Sequence, residues 1–404
     1  MNLLQEGIEQ GFVIKTDRAT KLSIDGISET YPIYQVRLDA LYYNDQNDRI
    51  ATWISQYKSD QGIDVIDKSD IESYNMIIQD FIIKSNPEKL KSTQRNISFI
   101  GQQKYGVVLN DGRIIDGNRR YTCLRNLAKD DPKFNYFETV ILDRDIENSA
   151  KQIKMLELHI QIGEEARVDY DPIDRLVGIY NDIVLNELLT VHEYAISTGA
   201  QSDNDVQKQV ELSILLAEFL EAINAPGQFY IARDLNVAGP LQELQAILKK
   251  IKDEDQRESV KYAVFTNFLL QPEGDMTRFV RQLKAVASSN YLDEFVEKEL
   301  EIAEQVLDNL PEVGKVNKEV INQVRKDEET KRELRNTMDI VTNKAKASAT
   351  KDKPNQILIK AVDSIETIDQ NILKKLSQEQ KSDIKEQLDA LENLIEELRD
   401  VLKE

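Results

Sequence analysis

The sequence predicts an α+β protein: a small mixed sheet in the N-terminal part, then a mainly α-helical region that ends in a helical hairpin or coiled coil. Three observations carry that prediction. Val107 to Leu109 and Arg113 to Ile115 are short apolar runs on either side of Asn110-Asp111-Gly112, the composition of a tight hairpin turn. From Asp171 onward the apolar residues recur at helical rather than alternating spacing. Near the C-terminus Ile384, Leu388, Leu391, Ile395, Leu398 and Leu402 alternate four and three apart, which is a heptad seam.

In chain order, residues 1 to 30 are mixed, with a weak helical start and a turn at Ser23-Ile24-Asp25-Gly26. Tyr34 to Leu38 alternates like a strand, and residues 51–98 read as a helical insertion, with Ile71, Tyr74, Ile77, Ile78, Phe81 and Ile82 at helical spacing. After the hairpin, Asp116-Gly117-Asn118 breaks the strand and Leu124 and Leu127 begin a helix. Phe137 to Leu142 is a further strand and Ile146 to Ile162 a further helix, which closes an N-terminal domain over 1–165. Residues 166–343 form a helical domain. Within it, 188–211 has a helix-turn-helix layout: Thr190 as N-cap, Ala195 inside the first helix, Gly199 at the turn and Val206 in the second helix. Residues 344–354 are small, polar and basic and read as a linker. The last part, 355–404, reads as two helices, Ile357 to Leu376 and Ser377 to Leu402, with Ser377 and Gln380 as a capping box. Its seam suits either an intramolecular helix pair or a surface for self-association or partner docking.

Composition narrows the function classes. The chain has 404 residues, 41% hydrophobic and 31% charged, which is a globular balance with room for two or three domains. A single cysteine excludes a disulfide framework, and with only His159 and His192 no Cys/His zinc site is expected. No run of about 18 apolar residues occurs, so no membrane span is expected, and the first residues lack the basic and apolar regions of a secretion signal. A cytoplasmic location is the expectation. A net charge of −20 argues against wholesale wrapping of nucleic acid, which requires cations to displace counterions.

Against that acidic background one window is basic. From Lys84 to Arg125 nine bases face three acids, a local charge of +6. The window contains Gly117-Asn118-Arg119-Arg120 at a strand-to-helix junction. A glycine there admits close backbone approach, the new helix N-terminus presents unpaired N–H groups, and guanidinium groups chelate phosphate oxygens. The residues therefore suit a polyphosphate cradle. They also suit an ordinary hairpin with two surface arginines, and the motif alone does not choose.

The run Asp111-Gly112-Arg113-Ile114-Ile115-Asp116-Gly117-Asn118-Arg119-Arg120 resembles the signature of the ParB N-terminal domain, the fold that ParB proteins share with sulfiredoxin. In that family a Gly-Glu-Arg-Arg box holds a nucleoside triphosphate, usually CTP. The resemblance implies Gly117, Asn118, Arg119 and Arg120 as nucleotide ligands, with Asn118 in place of the Glu. Val36, Leu38, Asn47 and Arg49 match a second box, a Val-x-Leu strand with an Asn-x-Arg turn, which implies Arg49 as a further ligand. A third box, Glu-Asn-Ile-Gln in the family, corresponds to Leu158-His159-Ile160-Gln161 here. Ile160 and Gln161 match, His159 replaces the Asn, and Glu157 lies one position early. This implies Gln161 as a nucleotide ligand and leaves Asp116, Glu157 and His159 as the candidates for base or metal-ligand chemistry.

The helix-turn-helix stands where ParB proteins place their DNA-binding one. Gln201, Asn204, Gln207 and Lys208 would then read base edges and phosphates, although Asp203, Asp205 and Glu211 oppose DNA on the same stretch. A structural helical hairpin fits that stretch equally well.

The leading expectation is a ParB-like switch protein. It binds CTP or another nucleoside triphosphate with Mg2+, acts on or near DNA, and works as a dimer or with a protein partner through its C-terminal helices. Hydrolysis of the nucleotide is left open. Two alternatives use the same fold: a DNA-directed nuclease or phosphotransfer enzyme of a mobile-element or phage-defence setting, and a non-catalytic interaction protein that has lost its nucleotide. Sulfiredoxin-like reduction is disfavoured, because Asn118 stands where that family has its cysteine, and Cys123 reads as a core thiol.

Overall fold

Five strands form one mixed sheet in the order β1-β2-β5-β3-β4: β1 (Val13–Ile24), β2 (Ile27–Arg37), β3 (Gly106–Leu109), β4 (Ile114–Asp116) and β5 (Tyr136–Leu142). Neighbours run antiparallel except β3 and β5, which are parallel, with Val107 beside Val140 and Val108 beside Ile141. The computed structural model describes residues 1–24, 27–143, 150–163 and 171–402. The strand β1 is absent from the sequence expectation, which placed a weak helical start in residues 1–30. Leu3–Gly7 forms a helical turn there, and β1 carries a register shift between Lys15 and Ala19 that breaks its alternation.

Both faces of the sheet are covered, and the two-residue period of the strands decides which side chain goes where. Val36, Val108, Ile114, Phe137 and Ile141 pack on one face against α2 (Ile71–Ser85), α3 (Pro87–Ile100) and α4 (Asn118–Ala128), through Tyr74, Ile78, Leu90, Ile97, Tyr121 and Leu124. Their neighbours Ile33, Val107, Ile115 and Val140 turn to the other face and meet Ile153, Leu156 and Ile160 of α5 (Ala150–Gly163). Each fully buried Val, Ile or Leu contributes about 1.5–3 kcal/mol. The helical insertion is therefore part of the core: with α1 (Ala51–Gln61), which opens it, the helices α2 and α3 roof one side of the sheet.

The expected division at 165/166 falls outside the described residues, and the packing on either side of it is continuous. Leu158 of α5 is buried with Ile179 at the end of α6 (Pro172–Ile179), with Tyr194 and Ala195 of α7 (Val191–Thr198), and with Val206 and Val210 of α8 (Asp203–Ala222). Residues Met1–Thr342 accordingly form one compact unit rather than two. Two helices, α7 and α8, stand over the stretch read as a helix-turn-helix. Thr190 and Glu193 form a capping box at the start of α7, Gly199 ends it in the left-handed region, and Ser202 caps α8. The unit continues through α9 (Phe229–Asp234), α10 (Ala238–Leu248), α11 (Glu254–Leu270), α12 (Met276–Val286), α13 (Leu292–Asp308) and α14 (Lys318–Val324).

Asn343–Glu404 is a second unit, and here one expectation is corrected. Residues 344–354 are not a linker but lie within the helix α15 (Glu328–Glu366), with Pro354 inside it. Alanine and lysine, read above as linker composition, are also strong helix formers. The rest of the unit is α16 (Gln370–Lys375) and α17 (Gln378–Val401), the latter started by the expected Ser377–Gln380 capping box. Along the α17 seam Leu388 and Leu398 are each 51% exposed and Leu402 83%, while Ile384 and Leu391 are half-buried.

Candidate functional site

A cleft of about 480 Å³ opens where the strand β4 hands over to α4. Gly117 makes the junction possible. Its φ of +100° lies in the region that favours glycine, and a Cβ there would stand 2.7 Å from the ring of Phe137. The N-cap Gly117 offers no side chain to the first-turn N–H groups of α4, and Gly117 and Asn118 at this end of the helix dipole both line the cleft. The helix is held in place from behind. Tyr121 donates its hydroxyl proton to the Leu38 carbonyl at 2.8 Å, and the hydroxyls of Tyr43 and Thr122 bond at 2.8 Å.

The structure brings together five of the six expected nucleotide ligands. Arg49, Gly117, Asn118, Arg119 and Arg120 all line the cleft; for Gln161 the side chain lies outside the described residues. The two arginines of the motif differ in their setting. Arg120 Nη2 is 2.5 Å from Asp116 and its Nη1 donates to the Tyr105 carbonyl at 3.0 Å, so it fastens the strand to the helix. Arg119 lines the cleft beside it. Asn118 is 7% exposed, and its Oδ1 has no hydrogen-bond partner among the described residues. A buried acceptor left in that state costs about 1–3 kcal/mol, so the position is suited to a ligand that brings a donor.

The cleft also has residues that sequence reasoning did not assign. Lys89, Thr93 and Asn96 of α3 form one wall, and Lys104 reaches it from the loop before β3. Lys89 and Lys104 were visible only as part of the basic window; their common direction depends on how α3 packs. The lining thus holds Arg49, Lys89, Lys104, Arg119 and Arg120 against the one acid Asp116, which is committed to Arg120.

The candidates for base or metal chemistry are not gathered there. Asp116 lines the cleft in its ion pair. Glu157 is buried away from it and accepts a hydrogen bond from Asn44 Nδ2 at 3.1 Å, and His159 is half-buried on α5 outside the lining. Among the described residues no cluster of three or more His, Cys, Asp or Glu suits a metal ion. A nucleotide-bound Mg2+ usually takes one or two carboxylates beside the phosphates; the one carboxylate of this lining, Asp116, is paired with Arg120, so the neutral Asn118 oxygen is the protein atom that would meet the ion. Cys123 is fully buried and burial pushes its thiol up to about 12, as a core thiol and not a nucleophile.

No family model matches this chain, and no curated protein matches it. The site therefore rests on its own geometry.

The loop that carries Asn47 and Arg49 is tied to the helical part by a buried charge cluster. Lys154 Nζ of α5 lies 2.7 Å from Asp48 and 3.3 Å from Asp182, and donates to the Gln46 carbonyl at 3.2 Å. Burial opposes its charge, but the fields of Asp48, Glu157 and Asp182 raise its pKa well above the ordinary lysine value. Asp48 in turn packs on Gly178 of α6, where a Cβ would stand 2.5 Å from its carboxyl carbon.

The residues expected to contact DNA, Gln201, Asn204, Gln207 and Lys208, are all exposed around the start of α8. Lys208 is paired with Asp205 at 3.2 Å, and Asp203 with His192 at 3.0 Å. The surface is accessible, but Lys208, the cation among these residues, is balanced within the helix.

Proposed function

We propose that the cleft binds a nucleoside triphosphate with Mg2+, CTP being the first choice, and that the chain is a ParB-like nucleotide switch acting on or near DNA as a dimer. The observation that carries this reading is the convergence of Arg49, Lys89, Lys104 and Arg119 on the uncapped start of α4, in a chain whose net charge is −20. Cations and open N–H groups in one concave site suit a polyphosphate better than a neutral ligand. The orphan acceptor of Asn118 suits a ribose hydroxyl, a base amine or the water shell of Mg2+. The cluster around Lys154 supports the switch part, because it ties the loop that holds Arg49, through Asp48, to α5 and to Asp182. The exposed turn between α7 and α8 and the exposed leucines of the α17 seam support the DNA and dimer parts.

Competition of CTP, ATP, GTP and UTP against a fluorescent triphosphate in Mg2+ tests the reading. One nucleotide should be preferred, and Arg119→Ala should weaken it roughly 10- to 100-fold, the loss of one or two charge-assisted hydrogen bonds. Arg119→Ala with undiminished affinity would remove the cleft from consideration.

A further inference from the structure

A second pocket, of about 300 Å³, lies between α9 and α14, and its chemistry is that of an anion site. Arg325, at the end of α14, donates from Nε to the Leu269 carbonyl at the C-terminal end of α11, at 2.8 Å. That contact uses one edge of the guanidinium. Nη2 is buried with no hydrogen-bond partner, and among the described residues no carboxylate lies within 4.0 Å of the group. Nothing offsets the burial that lowers its pKa. A buried guanidinium donor left idle is costly unless an anion meets it.

The rest of the lining agrees. Lys318 adds a second, largely exposed cation. The one acid, Asp234, is already held by Arg233 at 2.9 Å and stands 4.0 Å from Lys318, so the pocket keeps a positive balance. Leu235 and Ile321 are buried and supply an apolar floor. The volume is at the small end of the range for ligand pockets, ~300–1,000 Å³. We propose that this pocket takes a small organic oxyanion, a carboxylate or a phosphate monoester, with its charged head on Arg325 and Lys318 and its apolar body on Leu235 and Ile321.

The test is calorimetric titration of the full chain with benzoate and with phenyl phosphate, in chloride buffer of matched ionic strength. The chain carries Arg119→Ala so that the larger cleft contributes little. Saturable binding of at least one probe is expected, weakened tenfold or more by Arg325→Gln and several-fold by Lys318→Gln. Lys318 is on the surface, so that variant reports even where Arg325→Gln disturbs the fold. Tighter binding of benzoate assigns the carboxylate, and tighter binding of phenyl phosphate the monoester. The absence of saturable binding by both probes, or binding that neither substitution weakens, overturns the proposal.

Discussion

Single residues carry charge states that their burial dictates. Glu299 of α13 is 1% exposed and receives one hydrogen bond, from Asn267 Nδ2 at 2.9 Å. Burial pushes its pKa up to about 8 against that bond. Among the described residues Glu299 Oε1 and Asn267 Oδ1 have no hydrogen-bond partner, and a proton on the carboxyl supplies a donor where there are only acceptors. The folded state thus holds a proton that the unfolded chain releases above its ordinary value near 4.5. This contribution to stability is complete below about 4.5 and is lost as the pH rises to about 8. Glu299→Gln keeps the donor without the titration. Denaturant unfolding should show the variant gaining on the parent between pH 5 and pH 8.5 by on the order of a few kcal/mol. A gap between the two that does not change with pH would contradict the assignment.

At the scale of elements, the Lys154 cluster joins the cleft loop to α5 and to the helical turn at Tyr180–Leu185. Lys154→Met leaves Asp48 and Asp182 buried without their cation. The expected cost is roughly 3–5 kcal/mol, and adding Asp48→Asn and Asp182→Asn should recover much of it. Chemical denaturation of the single and triple variants checks this; a loss below 1 kcal/mol would place the cluster among weak surface pairs. None of this cluster was legible in the sequence, because Asp48 lies more than a hundred positions from Lys154 and Asp182 and all three are ordinary charged residues taken singly. The elements of the site were legible where the signal is local. The Asn110-Asp111-Gly112 turn, the Gly117 break and the caps Thr190 and Ser377 act within a few residues, and each stands where expected. The strand β1 and the wall formed by α3 were not, since a bulge blurs the first and tertiary packing alone aims Lys89 and Asn96. The Lys344–Pro354 helix shows the same limit from the other side: composition that permits a linker also permits a helix.

At the scale of the molecule, two features carry the proposed function: the exposed leucines of the α17 seam and the cationic cleft of the Met1–Thr342 unit. Leu388, Ile395 and Leu398 in water are favourable to bury, which gives the dimer reading its driving force. Sedimentation of the full chain should show a dimer at tens of micromolar that Leu391→Lys with Leu398→Lys converts to monomer; a parent chain that is already monomeric there would end that reading. The central claim is that the cleft recognises phosphates. Calorimetric titration with CTP, CDP and cytidine in Mg2+, at two salt concentrations, tests it most directly. The account predicts one site whose affinity falls in the order CTP, CDP, cytidine and weakens with salt. Cytidine binding as tightly as CTP, or no binding of CTP at all, would contradict it.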